Sequence, residues 1–416
     1  MSDKIKILTI GDHPLSPSGV GTQTKYIIEG MLKTGKYEFL SFGGAIKHLD
    51  HKPQKIEQWG DDWVIWPVDG YGNADMVRAM IQQQKPDILW FMTDPRFYGW
   101  LWAIENEIRA KVPMIYYHVW DNYPYPTFNR PSYLSNDHIA CISKVTHDIV
   151  QTVTPEVDSS YIPHAVDADL FSPQTPEEVK TWRQSKNIDD KFVCFWNSRN
   201  ARRKQSGTLI WWFKEFLDKV GHDKACLIMH TDVKDQHGQD LEAIIHELGL
   251  LNGEVLFSRD KIGPQDLAAI YNIADITVCI SDAEGFGLST LESLSCGTPI
   301  LVNMTGGLQE QVTDGEQFFG IGLEPASKAI IGSQQVPYIY EDRLNKDDFI
   351  NAMVELYEMG DEKRRELGSK GRAYTQEHFN FDKFIQTWDE LFTSVYEEKG
   401  SWEDRKGYKS YEVRTY

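Results

Sequence analysis

Short apolar, β-rich runs alternate with helical patterns along the 416 residues, and they do so in two successive series. The first holds KIKILTIG from Lys4, PDILWFM from Pro86, VPMIYYHV from Val112 and HIACIS from His138. The second holds FVCFWNS from Phe192, ACLIMHTD from Ala225, VLFS from Val255, ITVCIS from Ile276 and PILVNM from Pro299. Strands that read as continuous apolar runs and are separated by helix-length segments belong to parallel sheets covered on both faces. Leu267, Ile270, Tyr271 and Ala274 supply the i, i+3, i+4, i+7 spacing of one such crossover helix. A chain of this length exceeds what one core serves, so two domains are expected, one per series.

The expected divisions are a first domain over 1–180, a second over 181–378, a helix over 379–398 that docks back on the first, and a polar tail over 399–416. The join is read in SPQTPEEVKTWRQSKNIDD, residues 172–190, which is polar and carries two prolines. Phe381, Phe384, Trp388, Leu391, Phe392 and Val395 form the apolar stripe of the docking helix. The tail has no periodicity and is read as mobile or peripheral.

A formal charge of -19 opposes broad attraction to phosphate backbones, which disfavours a nucleic-acid partner. No apolar run approaches the ~18 residues that span a bilayer, and MSDKIK leads into a strand, so a cytoplasmic protein is expected. The five cysteines, Cys141, Cys194, Cys226, Cys279 and Cys296, show no C-x-x-C pair and read as small core side chains.

From Ser281 the chain reads SDAEGFGLSTLESLSCGTPILVNMTGG. Gly285 and Gly287 let backbone N–H groups approach a ligand, and the helix starting near Gly287 and Leu288 directs its positive end at an anion such as a diphosphate. Glu284 precedes that helix and Glu292 lies within it, so the two carboxylates reach different parts of an extended ligand. In isolation the segment is an ordinary turn with a solvated helix glutamate. Its context resembles the signature of the retaining GT-B glycosyltransferases of family four, the group 1 glycosyl transferases, where two glutamates eight positions apart flank a G-F-G turn.

The resemblance implies an α/β GT-B fold, two Rossmann-like parallel-sheet domains facing across a cleft. It also implies transfer of a sugar from a nucleotide diphosphate donor, UDP- or GDP-linked, with retention of configuration. Glu284, Gly285, Phe286, Gly287 and Leu288 would meet the donor sugar and diphosphate, and Glu292 the ribose hydroxyls. No cofactor or metal is implied. NSRNARRKQSG contains Arg199 and, five residues later, Lys204, which resemble the family's cationic pair and would neutralise the leaving diphosphate; Arg202 and Arg203 read as solvated.

In the first half, GDHPLSPSGVGTQT resembles the glycine loop that faces the donor phosphate, making Gly19 and Val20 candidates. His118 ends the run VPMIYYHV, either as a core histidine or, on the resemblance, as the histidine that meets the donor sugar and reacting centre. YIPHAVDADLFSP from Tyr161 resembles an interdomain loop of the family, with His164 and Ala165 where asparagine and glycine are usual, so Asp167 and Asp169 are not read as a metal-binding D-x-D. His13 is an acceptor-side polar candidate.

The expected acceptor is a sugar, a lipid-linked glycan or another hydroxyl compound. Lys25, Lys33 and Lys36 give the first helix a basic bias that suits peripheral membrane contact as well as plain solvation. The alternatives are a nucleotide-sugar 2-epimerase of the same fold, a viral-type nucleic-acid base glycosyltransferase and a non-catalytic sugar-binding protein.

Overall fold

The computed structural model describes residues 4–411. They form two compact units. One comprises the described residues up to His164 with Gly332–Pro337 and those from Asp382 onward; the other comprises Ala165–Ile331 and Tyr338–Phe381.

The first unit carries eight strands: β1 (Ile5–Asp12), β2 (Tyr37–Gly44), β3 (Gln54–Lys55), β4 (Trp63–Pro67), β5 (Ile88–Thr93), β6 (Met114–His118), β7 (His138–Cys141) and β8 (Ser159–Tyr161). Their order in the sheet is β3-β4-β2-β1-β5-β6-β7-β8. All pairings are parallel except that of β3 with β4. Ile7 of β1 lies between Phe39 and Ile88 of its two neighbours, and all three are buried, as a sheet covered on both faces requires.

The second unit carries β9 (Phe192–Asn197), β10 (Ala225–His230), β11 (Val255–Ser258), β12 (Ile276–Cys279), β13 (Ile300–Asn303) and β14 (Gly320–Leu323), in the parallel order β11-β10-β9-β12-β13-β14. A separate antiparallel hairpin joins β15 (Ser327–Ile331) to β16 (Ile339–Arg343). Leu209, Phe213, Phe216, Leu227, Phe349 and Met353 belong to the buried core of this unit. In its sheet the chain winds outward from β9 one way and from β12 the other. The crevice at the carboxyl ends of those two neighbours is where an α/β sheet accepts a ligand.

Two expectations need correction. The division falls between His164 and Ala165, ahead of the polar stretch 172–190. Chain beyond that point is already tied to the second unit: Ser295 Oγ donates to Phe171 O at 2.7 Å, and the Gln174 N–H donates to Asn272 Oδ1 at 2.7 Å. Thr175 and Glu178 then close a capping box on the helix Pro176–Ser185, whose Arg183 pairs with Asp275 at 2.8 Å.

The tail is not loose over its described part. Trp402 Nε1 donates to Pro86 O at 3.0 Å, and the Arg405 guanidinium meets Asp137 at 2.6 Å with both side chains almost fully buried. Tyr411 donates to Glu105 at 2.6 Å. The Trp402 ring and a buried ion pair hold this segment down, contacts that periodicity alone does not register. Residues 412–416 lie outside the described residues.

The helix Phe381–Lys399 buries Phe384, Trp388, Phe392 and Val395. The Trp388 ring meets those of Trp90 and Tyr117 edge-on, at 5.7 and 4.8 Å between centroids. All five cysteines are buried and unpaired. No helix among the described residues is long and apolar enough to cross a membrane.

Candidate active site

At the carboxyl end of β9 the chain turns through a short 3-10 segment, Arg202–Lys204, and at that of β12 it runs through Asp282 to Gly287 into the helix Leu288–Ser295. Lys204 Nζ donates to Glu284 Oε2, and the two side chains are only 12% and 13% exposed. Burial pushes the Glu284 carboxyl up, but Lys204 and then Arg203 outweigh it, and the net position is below the ordinary carboxylate value. Arg203 donates to Ala283 O and stands 3.8 Å from Glu284.

The E-G-F-G turn is held from beneath by backbone. Gly287 caps the helix Leu288–Ser295 at φ +92°, a left-handed conformation that a side chain would resist. Gly306 also lies at positive φ, +50°, and a Cβ there would sit 1.8 Å from the Glu284 carbonyl oxygen. The Gly307 N–H donates to that same carbonyl at 3.0 Å, and Gln311 Nε2 donates to Phe286 O at 2.6 Å. The T-G-G segment after β13 is therefore the floor of the loop. Phe286 is buried against Phe379.

Glu292 takes a different partner. Tyr271 donates its hydroxyl to Glu292 Oε2 at 2.7 Å and accepts from Asn197 Nδ2 at 2.9 Å, so the last residue of β9 and a helix two strands away hold this carboxylate in place. Burial pushes Glu292 up to about 7, against the hydrogen bond from Tyr271. A folded-state value above that of the unfolded chain means the native protein binds the extra proton, so the charge costs stability as pH rises from about 4.5 to about 7. Glu292→Gln is expected to gain on the wild type over that window, by on the order of 2 kcal/mol at pH 8 and near zero at pH 4.5. Thermal melts across pH check this, and a gain that shrinks with rising pH contradicts it.

Residues 178–374 match the family model of the glycosyl transferases group 1. They are a group 1 glycosyl transferase domain. The D-inositol 3-phosphate glycosyltransferase of Corynebacterium jeikeium is 29% identical over 159 residues, 37% of this chain and 38% of that protein. The GDP-mannose-dependent alpha-(1-6)-phosphatidylinositol monomannoside mannosyltransferase of Mycolicibacterium smegmatis is 28% identical over 188 residues, 43% of this chain and 47% of that one. The alignments thus span less than half of either relative.

Among solved structures, sucrose-phosphate synthase from Thermosynechococcus elongatus superposes with a TM-score of 0.75 at 16% identity, covering 95% of this chain and 100% of that one. Anabaena HepE in complex with UDP-glucose gives 0.67 at 16%, covering 94% and 100%. Likeness at such identity speaks for the fold, the GT-B pair of Rossmann-like domains.

Within the group 1 domain the structure brings Lys204 and Glu284 together, with Gly285, Phe286, Gly287 and Leu288 on the same loop. Arg199 does not join them. Its guanidinium is held by Asp235 at 2.6 and 3.1 Å and lies 2.8 Å from His237 Nδ1, on the loop after β10. The hydrogen bonds from Arg199 hold Asp235 down at about 2.

Arg202 and Arg203, read as solvated, are both engaged. Arg202 makes a two-pronged contact with the buried carboxylate of Glu341, because a carboxylate removed from water needs a countercharge. Asp282, Glu341 and Arg343, none of which the sequence singled out, line the same turn. Arg343 lies 2.7 Å from Asp282 and 2.9 Å from Glu341, and burial pushes Asp282 up to about 6.

The first-unit candidates fare less well. His118 is a core residue rather than a group open to a ligand: it is 0% exposed, with Nε2 2.7 Å from the Tyr133 hydroxyl and its ring among Tyr116, Trp120 and Tyr133. Burial lowers it to about 3, so it is neutral, and no substrate reaches it in this conformation. His164 is likewise buried, with Nδ1 2.7 Å from the Tyr117 hydroxyl.

Gly19 and Val20 open the helix Gly19–Lys33, but its start already has an acid beside it. Ser18 Oγ accepts from the Gly21 N–H and donates to Asp12 at 2.5 Å, an arrangement that opposes a phosphate there. His13 is buried, and burial followed by His48 lowers its pKa. Asp167 accepts the N–H groups of Asp169 and Leu170, a local turn. On the first helix and its exit, Lys25 stands 3.9 Å from Glu29 and Lys36 pairs with Asp389 at 2.7 Å.

Proposed function

We propose that this chain is a retaining glycosyltransferase that takes a sugar from a UDP- or GDP-linked donor and passes it to a hydroxyl acceptor, without a divalent metal. The observation that carries the reading is the Lys204–Glu284 ion pair, set beside a helix start at the carboxyl ends of β9 and β12 in a group 1 domain. The donor diphosphate would displace Glu284 from Lys204 and lie against the first N–H groups of the helix Leu288–Ser295, where the helix dipole favours an anion. Arg203 stays beside Glu284 and supplies a countercharge when Lys204 turns to the ligand. Freed of Lys204, the Glu284 carboxylate accepts hydroxyls of the donor sugar, and Glu292 accepts those of the ribose.

Lys204 then neutralises the charge that grows on the leaving diphosphate as the bond to the anomeric carbon breaks. The acceptor hydroxyl attacks the oxocarbenium-like sugar on the face the diphosphate leaves, and the departing phosphate oxygen takes its proton. The names of similar proteins support this choice of donors: HepE was solved with UDP-glucose, and the mycobacterial relative is GDP-mannose-dependent. The relatives' inositol-phosphate and phosphatidylinositol acceptors make polyols and their lipid conjugates the first compounds to assay.

A thermal-shift panel of UDP-, GDP- and ADP-sugars tests the donor. A donor held at about 100 times its Kd stabilises by about 2.7 kcal/mol. NMR of the product then shows the anomer, and chelator leaves the rate unchanged. Donor converted to its epimer with no acceptor present would instead identify an epimerase, and inversion would refute the retaining mechanism.

A further inference from the structure

The hairpin of β15 and β16 carries charges that close a ring around Lys204. Arg202 donates to both oxygens of Glu341, at 2.9 and 2.5 Å. Arg343 donates to Glu341 Oε2 at 2.9 Å and to Asp282 Oδ2 at 2.7 Å. Gln205 Nε2 donates to the same Asp282 oxygen at 2.6 Å. The circuit runs from Arg202 through Glu341, Arg343 and Asp282 to Gln205, and the chain between its two ends holds Lys204.

Backbone bonds fasten the same segments. The Asp282 N–H donates to Arg203 O at 2.8 Å, and the Asp342 N–H donates to Asp282 O at 2.8 Å. Asn303 Nδ2 bridges Ser281 O and Asp342 O at 2.9 and 3.1 Å, and Thr305 Oγ1 donates to Asp342 at 2.7 Å. Glu341 and Arg343 share one face of β16 because strand side chains alternate, so one strand presents both partners to the turn.

The carboxylates of Asp282 and Glu341 are 4% and 3% exposed, whereas Arg343 and Arg202 are 31% and 58% exposed. Buried carboxylates bridged by forked guanidiniums resist rotation in a way that a surface lysine pair does not. Two of the four segments tied here carry the ion pair itself: Lys204 lies between Arg203 and Gln205, and Glu284 lies two residues beyond Asp282.

We infer that the hairpin belongs to the donor machinery, and that Arg343 is a positioning residue that sets Lys204 against the loop bearing Glu284. The inference rests on the proposed donor reading. Opening the ring at Arg343 cuts the link between Asp282 and Glu341, so the turn Arg202–Lys204 keeps its register with the loop Asp282–Gly287 only through Gln205 and the backbone bond at Arg203, and it gains play. A lysine displaced by about 1 Å loses most of its advantage on a developing charge.

The test uses the full chain and its Arg343→Met, Arg343→Lys, Lys204→Ala and Arg343→Met/Lys204→Ala variants. Calorimetric Kd values for UDP and GDP are measured well below each Tm and corrected for folded fraction, and kcat and donor KM are measured beside them. Arg343→Met is expected to weaken the bound nucleoside diphosphate about tenfold and to lower kcat at least tenfold, with part of both recovered in Arg343→Lys. In the double variant the Arg343 effect disappears, because it acts through Lys204. If Arg343→Met lowers only Tm, with Kd and kcat per folded molecule unchanged, or if its effect adds fully to that of Lys204→Ala, the positioning role is wrong while the donor site stands. If neither UDP nor GDP binds the wild type, or Lys204→Ala leaves their affinity intact, the donor reading fails and the inference with it.

Discussion

Lys204→Ala is expected to lower kcat by about 10²- to 10³-fold, the usual cost of removing one preorganised group from a developing anion. The ammonium is nearly buried against Glu284, so the charge is already at the site when the donor arrives and has only to turn toward it. Its removal does harm twice. The diphosphate loses a cation, and Glu284 keeps Arg203, at 3.8 Å, and the Ser281 hydroxyl against the burial that pushes its carboxyl toward protonation. Lys204→Arg keeps the charge yet is expected to recover little, because a planar fork does not occupy the space of a compact ammonium. Steady-state kinetics with the donor chosen by the thermal-shift panel, alongside circular dichroism, checks this; turnover within threefold of wild type would remove Lys204 from the chemistry.

Gly306→Ala is expected to cut kcat/KM by about 10²-fold without any change in the residues that touch substrate. The new methyl carbon would start 1.8 Å from the Glu284 carbonyl oxygen, and the glycine φ of +50° disfavours alanine as well. The loop must move by more than an ångström, and the Gly307 hydrogen bond to that carbonyl is lost with it. Gly315→Ala separates the two causes. Gly315 has φ +100°, and a methyl group there would meet nothing within 4 Å, so it shares the backbone penalty and lacks the collision. Equal activity loss in both variants would show that strain elsewhere, not the floor of the loop, is responsible.

The second unit was largely legible because its signals are local. The strand from Phe192, the loop from Glu284 to Gly287 and the helix carrying Glu292 follow one another within short stretches whose turn chemistry and apolar runs are written in adjacent residues. What sequence missed depends on distant partners. Nothing near Arg202 announces Glu341, 139 positions away, and nothing near Arg199 announces Asp235. The β15–β16 hairpin has short, half-exposed strands with no core pattern, so its charged face has meaning only once folded against the turn. His118 illustrates the same limit in reverse: a strand's carboxyl end suggests a ligand, whereas Tyr133 and Trp120, placed by the fold, cover it. A signal for Asp282 did exist, since it lies two residues ahead of Glu284 in the motif itself.

The first unit is assembled from both ends of the polypeptide, with the second threaded between them. During synthesis Trp90 and Tyr117 emerge long before Trp388, which packs on both. At about 5–20 residues per second the ribosome needs roughly 10–60 seconds to supply the intervening chain. For that interval a face of two large aromatic rings waits uncovered, and a nascent chain truncated there would present it to chaperones or to its own copies.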